Sequence, residues 1–110
     1  MRITKLFCLC LLLGGCTASE KIEMKKGAIL IDVRSEAEYQ SGFIAGAINI
    51  PHDRIAEKIG QIVTDKSTPL YLYCRSGRRV GIAMETLKKL GFTDMVNLGG
   101  YNEAARRLGK

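Results

Sequence analysis

Four short apolar runs divide the chain, and segments with helical spacing lie between them. The runs are rich in branched and aromatic residues and show little polar alternation: Ala28–Ile31, Ile48–Ile50, Leu70–Tyr73 and Met95–Leu98. Strands with little alternation are typical of a parallel sheet that is covered on both faces. The pattern therefore predicts strands of one central parallel sheet.

The first two segments between the runs carry helix signals. Ser35 and Glu38 have the spacing of a capping box, which predicts a short helix that begins just after Ser35. Apolar residues recur at helical spacing over Ile55–Val63. His52 or Asp53 is expected near the cap of that second helix.

Two further helices complete the pattern. An amphipathic helix is predicted over Val80–Leu90 and ended by Gly91, and a last helix is predicted over Glu103–Leu108. Strands that alternate with helices imply right-handed crossovers. The expected fold is α/β, a three-layer domain with a central parallel sheet and helices on both faces.

The beginning of the chain does not fit this pattern. Two basic residues precede an unbroken apolar run, and small residues follow it: Arg2, Lys5, Leu6–Leu13, Gly14 and Gly15. A charged start, a short apolar middle and a small-residue cleavage site predict a bacterial secretory signal peptide over residues 1–15. The run is shorter than the ~20 apolar residues that span a bilayer. A buried N-terminal helix or strand is the alternative.

Leu13–Cys16 resembles the lipobox of bacterial lipoproteins, in which the signal is cut just before a cysteine that then carries lipid. The resemblance implies lipid on Cys16 and a membrane-attached protein that faces the periplasm. Thr17 stands where aspartate would mark retention in the inner membrane, which favours the outer membrane. Simple cleavage to a soluble periplasmic form is the alternative. Residues 16–26 would be the lipid attachment site and a polar tether, and residues 27–110 the folded domain.

Composition limits the function classes of this domain. The 110 residues are 46% hydrophobic and 25% charged, which excludes a disordered tail, a fibre and a multi-span membrane protein. The net charge of +6 favours solubility or the binding of small anions. Aromatic residues are 6% with no tryptophan, so no nucleic-acid partner is expected.

The cysteine count singles out one thiol. Removal of the signal peptide would remove Cys8 and Cys10, and lipid would occupy Cys16. Cys74 would then be the remaining free thiol, so no intramolecular disulfide is expected in the mature chain. Cys74 and His52 are too few to hold a metal ion. An unpaired thiol in an oxidising compartment needs either burial or a function.

Cys74 follows the third apolar run and precedes a predicted helix. Sheets of this kind bind ligands at the carboxyl ends of their strands. The helix N-terminus and Arg75, Arg78 and Arg79 favour the thiolate, so Cys74 is expected to be nucleophilic. Gly77 would let successive N–H groups converge on the sulfur. Cations oppose the helix dipole there, so anion binding is the expected reason for the arginines. The alternative is a core cysteine beside a solvated helix start.

Four segments resemble, in order, the motifs of rhodanese-type sulfurtransferases. They are Ile31–Arg34, Gly42–Pro51, Tyr73–Arg79 and Leu98–Tyr101, and they cover roughly residues 27–108. The short N-terminal part is most similar to the small periplasmic rhodaneses of the phage-shock-protein-E type. Phe43 stands where the family usually has histidine, which predicts a modified loop.

The resemblance implies a thiosulfate sulfurtransferase that needs no metal or organic cofactor. Cys74 would attack the outer sulfur of thiosulfate, sulfite would leave, and cyanide or a thiol would take the sulfur from the resulting persulfide. The residues expected to bind the anion or to stabilise charge on the sulfur are Arg34, Arg75, Ser76, Gly77, Arg78 and Arg79.

The other motif residues are assigned structural roles. Arg34 has an alternative role in which it pairs with Asp32 or Glu38. Asp32 is expected to hold loops by hydrogen bonds, and Gly99–Gly100 to shape a turn. His52 is expected in a surface loop, and Tyr101 would form a wall of the pocket.

Other functions compete with sulfur transfer to a small acceptor. Cysteine phosphatases of related fold have a longer loop, whereas four residues separate Cys74 from Arg79, which predicts a pocket too tight for phosphate. A non-catalytic rhodanese-like module would bind a sulfur species or a partner protein at the cell envelope. A sulfur relay would use a protein thiol as its true acceptor.

Overall fold

A computed structural model describes residues 20–110, which form one parallel sheet with helices on both faces. The sheet has the order β2-β1-β3-β4. Its strands are β1 (Ile29–Asp32), β2 (Ile48–Asn49), β3 (Leu70–Cys74) and β4 (Met95–Gly100). The helices are α1 (Glu36–Gln40), α2 (Ile55–Ile62), α3 (Arg78–Lys89) and α4 (Tyr101–Leu108), with a 3₁₀ helix at His52–Arg54.

Alternate residues of the strands face two separate apolar clusters. Ile31 pairs with Leu72 in the register of β1 and β3, and both belong to the cluster that packs against α2 and α3. Leu30 pairs with Tyr71, and both belong to the cluster that contains Ala104 of α4. All five residues of β3 are buried, because this strand lies inside the sheet between β1 and β4. The three-layer α/β fold is therefore confirmed.

The predicted capping box is confirmed at the start of α1. The Glu38 N–H donates to the Ser35 hydroxyl, and the Ser35 N–H donates to the Glu38 carboxylate at 2.9 Å. Gly91 has a φ of +103° just beyond α3, as expected of a glycine that ends a helix. Local signals were therefore sufficient to define both of these ends.

Two helix starts differ from the prediction. Arg54 is the N-cap of α2, and no side chain caps this helix. His52 and Asp53 lie near the cap, as predicted, but they belong to the 3₁₀ helix that precedes it. The last helix begins at Tyr101 rather than at Glu103, since β4 runs directly into it. This direct connection places Tyr101 at the carboxyl edge of the sheet.

Residues 20–26 differ from the polar tether predicted for residues 16–26. Ile22 and Met24 pack against the second apolar cluster, and the Ile22 N–H donates to the Arg107 carbonyl at 2.7 Å. Lys25 forms an ion pair with Asp94 at 2.9 Å. The alternating apolar side chains thus hold this segment on the domain. The predicted signal peptide and Cys16 lie outside the described residues, and no helix within residues 20–110 is long and apolar enough to cross a membrane.

Candidate active site

Cys74 is the last residue of β3 and lies at the carboxyl edge of the sheet. Its side chain is buried, and its Sγ accepts a hydrogen bond from the Gly77 N–H at 2.8 Å. Gly77 precedes α3 with a φ of +98°, a left-handed conformation that favours glycine. Within residues 20–110, no other N–H group donates a hydrogen bond to Sγ. Several amides were predicted to converge on the sulfur, and in this structure one does.

The loop after Cys74 is held against the end of β4. Ser76 forms an isolated bridge with Gly100, and the Tyr101 N–H donates to the Arg75 carbonyl at 3.4 Å. A Cβ on Gly100 would lie 2.6 Å from that carbonyl oxygen, so only glycine allows this approach. Gly99 has a φ of +86°, but Gly99 and Gly100 are the last residues of β4, where its register with β3 shifts. The predicted turn is therefore an irregular strand end. The closing glycines therefore shape the loop around the thiol.

Replacing Gly100 by alanine should destabilise the protein by about 1–3 kcal/mol and distort the loop, because the added methyl group overlaps backbone that cannot move away freely. Gly60→Ala is the matched control, since Gly60 lies in α2 with open space around it and alanine there should stabilise by about 0.5–1 kcal/mol. Urea unfolding of both variants checks this. Equal effects of the two substitutions would contradict the close approach.

Arg34 is committed to Asp32 in a buried ion pair. Its Nη2 lies 2.7 Å from Asp32 Oδ2, and its Nε donates to the same carboxylate at 3.0 Å. Nη2 also donates to the Gly42 carbonyl at 2.6 Å, and the guanidinium lies 4.7 Å from the centre of the Tyr101 ring. Of the two partners considered for Arg34, the structure selects Asp32, and it confirms Asp32 as a structural acceptor.

Glu38 binds two of the arginines that were assigned to anion binding. Its carboxylate accepts hydrogen bonds from Arg79 at 2.9 and 3.2 Å and from Arg75 at 3.2 Å. The bonds from Arg79, followed by the bond from the Ser35 backbone, hold the pKa of Glu38 well below its usual value. Pairing with Glu38 therefore gives a second reason, besides anion binding, for a cation such as Arg79 at the N-terminal end of a helix.

A lowered pKa fixes the direction of the pH effect. The stabilisation that Glu38 receives in the folded state is fully present above its unfolded pKa of about 4.3 and is lost as the pH falls towards the lower folded value. The carboxylate therefore stays ionised at neutral pH, and its bonds to the loop persist there.

A polar cavity of about 470 Å³ opens beside the loop. Its walls come from Arg34, Glu38, Ser41, Arg75, Tyr101 and Asn102. Tyr101 is therefore at the wall of a pocket, as predicted. Cys74 is not part of this wall, although the next residue is. Ser41 and Asn102 were missed from the sequence because nothing in their local pattern distinguishes them from ordinary surface positions.

The remaining residues of interest do not line this cavity. Ser76 and Arg78 are exposed, and Arg78 has no ion-pair partner within the described part of the chain. Phe43 is 45% exposed and stacks on Tyr39 with 4.1 Å between ring centres. His52 is half-buried and lines a separate polar cavity. No group of three His, Cys, Asp or Glu residues in the range 20–110 is arranged to hold a metal ion.

Comparisons with known proteins agree with this geometry. The chain matches the Rhodanese-like domain family over residues 17–106. It is 41% identical over 75 residues to the thiosulfate sulfurtransferase PspE of Escherichia coli, which covers 68% of this chain and 72% of PspE. It is 47% identical over 77 residues to the uncharacterised protein YqhL of Bacillus subtilis, with 69% of this chain and 60% of YqhL covered.

Solved structures show the same fold. A rhodanese with anions from E. coli superposes with a TM-score of 0.65 and 38% identity, covering 74% of this chain and 91% of the other. A rhodanese-like domain protein from Staphylococcus aureus gives a TM-score of 0.63 and 28% identity, covering 77% and 89%. The chain therefore belongs to the family of rhodanese-like domains, and its relationship to a sulfurtransferase supports a role in sulfur transfer.

Proposed function

We propose that the protein is a thiosulfate sulfurtransferase that carries sulfur as a persulfide on Cys74. The observation that carries this proposal is the position of Sγ at the carboxyl end of a central strand, 2.8 Å from the Gly77 amide and beside the N-terminus of α3. An N–H group and the positive end of a helix both stabilise negative charge on sulfur. The site can therefore favour both a thiolate and a persulfide anion.

The reaction is a double displacement. The Cys74 thiolate attacks the outer sulfur of thiosulfate, the sulfur–sulfur bond of thiosulfate breaks, and sulfite leaves with the bonding electrons. Cyanide or a thiolate then attacks the outer sulfur of the persulfide. The Cys74 thiolate leaves and is regenerated, and thiocyanate or a new persulfide is released.

Charge around the loop supports an anionic donor. The side chain of Arg75 is 74% exposed, and Arg78 is exposed as well, so both can meet thiosulfate before it enters. Arg34 and Arg79 form ion pairs with carboxylates, so they would attract the thiosulfate dianion only at short range, once it is close to them. The backbone of Ser76 and Gly77 would support the charge that forms on the sulfur.

The cavity bordered by Arg34 and Arg75 is the proposed entrance for the donor. Cys74 is buried in this state, so the residues between Arg75 and Gly77 must shift for the donor sulfur to reach Sγ. The same burial favours the second candidate, a non-catalytic module that binds a sulfur species or a partner protein. Formation of thiocyanate from thiosulfate and cyanide separates the two: the enzyme turns over repeatedly, and the module does not.

We further propose that the protein is a lipoprotein of the cell envelope, anchored through Cys16. The support is the lipobox-like Leu13–Cys16 after a charged and apolar start. Cells grown with a palmitate analogue should label the wild type and the Cys74→Ser variant equally, whereas Cys16→Ala should lose the label. A Cys16→Ala protein that retains the label would contradict lipid attachment at this residue.

A further inference from the structure

Glu38 joins α1 to the loop that surrounds Cys74. One carboxylate oxygen accepts hydrogen bonds from the Ser35 N–H, the Ser35 hydroxyl and Arg79 Nη1, at 2.9, 3.1 and 2.9 Å. The other accepts from Arg75 Nη1 and Arg79 Nη2, each at 3.2 Å. The residue that closes the capping box therefore also binds both ends of the Arg75–Arg79 segment, 37 and 41 residues away in sequence.

We propose that Glu38 is a positioning residue for sulfur transfer, which restricts the loop to the arrangement in which the Gly77 amide stabilises negative charge on the sulfur, at the cost of affinity for the anionic donor. This inference rests on the proposed function of Cys74. Arg75 and Arg79 flank Gly77, whose N–H contacts Sγ. Fixing both flanking side chains on one acceptor restricts the loop, and it keeps the Gly77 amide aligned with the sulfur.

The effect on affinity follows from charge. Glu38 is ionised at neutral pH and lies in the wall of the cavity that Arg34 and Arg75 border. Its negative charge lowers the positive potential that attracts a dianion. Asp32 and Arg34 form a separate buried pair that remains balanced when Glu38 is changed. Neutralising Glu38 therefore removes one negative charge from the cavity wall and also releases the loop.

These two consequences move the kinetic constants in opposite directions. Glu38→Gln should lower KM for thiosulfate about two- to fivefold, as expected for one charge acting through solvent on a dianion. It should also lower kcat about tenfold, because the loop and the sulfur are no longer aligned. A residue that only stabilises the fold would not improve KM.

The experiment compares Glu38→Gln with Glu57→Gln and Glu38→Asp. Glu57 is an exposed carboxylate that pairs with nearby Arg54 and does not line the cavity. Its neutralisation therefore removes one negative charge from the protein without changing the charge of the cavity wall. Glu38→Asp keeps the charge but shortens the reach to the arginines. It should retain the wild-type KM while kcat falls, which separates the charge effect from positioning. If Glu38→Gln does not fold, Glu38→Asp still tests the positioning role through its kcat.

A second measurement is independent of turnover. Cys74 is alkylated with anionic iodoacetate and with neutral iodoacetamide, and the modified residue is located by peptide mass. The rate with iodoacetate divided by the rate with iodoacetamide reports the electrostatic potential at the thiol. Glu38→Gln should raise this ratio about two- to fivefold, whereas Glu57→Gln and Glu38→Asp should leave it unchanged. A Glu38→Gln protein with wild-type kcat, KM and alkylation ratio would overturn the role of Glu38. Absence of thiocyanate formation by the wild type would instead overturn the proposed function, while the alkylation ratio would still test the charge of Glu38.

Discussion

Replacing Cys74 by serine should reduce sulfur transfer by about 10³-fold or more in kcat/KM, the largest effect expected of any single substitution. A serine hydroxyl is not ionised at neutral pH and cannot form a persulfide. The fold should survive, because a serine oxygen can accept the same hydrogen bond from the Gly77 N–H that Sγ accepts now. Thiocyanate formation from thiosulfate and cyanide measures the loss.

Two controls accompany this variant. Urea unfolding should show that Cys74→Ser remains folded, and Cys16→Ser should keep the wild-type rate, because Cys16 is assigned to membrane attachment rather than to chemistry. A Cys74→Ser protein that still forms thiocyanate at a rate within about tenfold of the wild type would show that another group carries the sulfur.

Replacing Asp32 by alanine should destabilise the protein by about 3–5 kcal/mol, the largest effect expected on stability. Asp32 is fully buried, and the Arg34 side chain is 8% exposed, so the loss of the carboxylate leaves a guanidinium charge in the interior without its partner. The Arg34 N–H would also lose its acceptor. Urea unfolding monitored by circular dichroism measures the change.

The control for Asp32→Ala is Asp53→Ala, which removes an exposed carboxylate and should change stability little. The double variant Asp32→Leu with Arg34→Met should recover much of the lost stability, since an apolar pair of similar volume avoids the unpaired charge. A double variant as unstable as Asp32→Ala would show that the stability comes from something other than charge pairing.

Local patterns were sufficient to predict most of the fold. The apolar runs identify all four strands, most clearly β1 and β3, which lie inside the sheet and are buried at nearly every position. The edge strands β2 and β4 are only partly buried. The position of Cys74 followed from the same pattern, since it comes directly after the third run. The start of α4 was missed because Gly100 and Tyr101 connect β4 to the helix without a cap or a turn signal.

The charge arrangement of the site could not be read from the sequence. Three arginines in one short loop predicted anion binding, but the structure places Arg75 and Arg79 on the Glu38 carboxylate. The capping-box pattern identified Glu38 by its spacing from Ser35, three residues earlier. A local pattern of this kind cannot predict hydrogen bonds to a loop that is distant in sequence. Packing of α1 beside the carboxyl edge of the sheet creates those contacts, so only the folded chain shows them.

The most direct test of Cys74 as the sulfur carrier is the mass of the intact protein after incubation with thiosulfate that carries a heavy isotope in its outer sulfur. The protein should gain one heavy sulfur atom, cyanide should remove it as thiocyanate, and Cys74→Ser should gain none. A protein that gains no sulfur, or a Cys74→Ser variant that gains it equally, would contradict the assignment of Cys74 as the sulfur carrier.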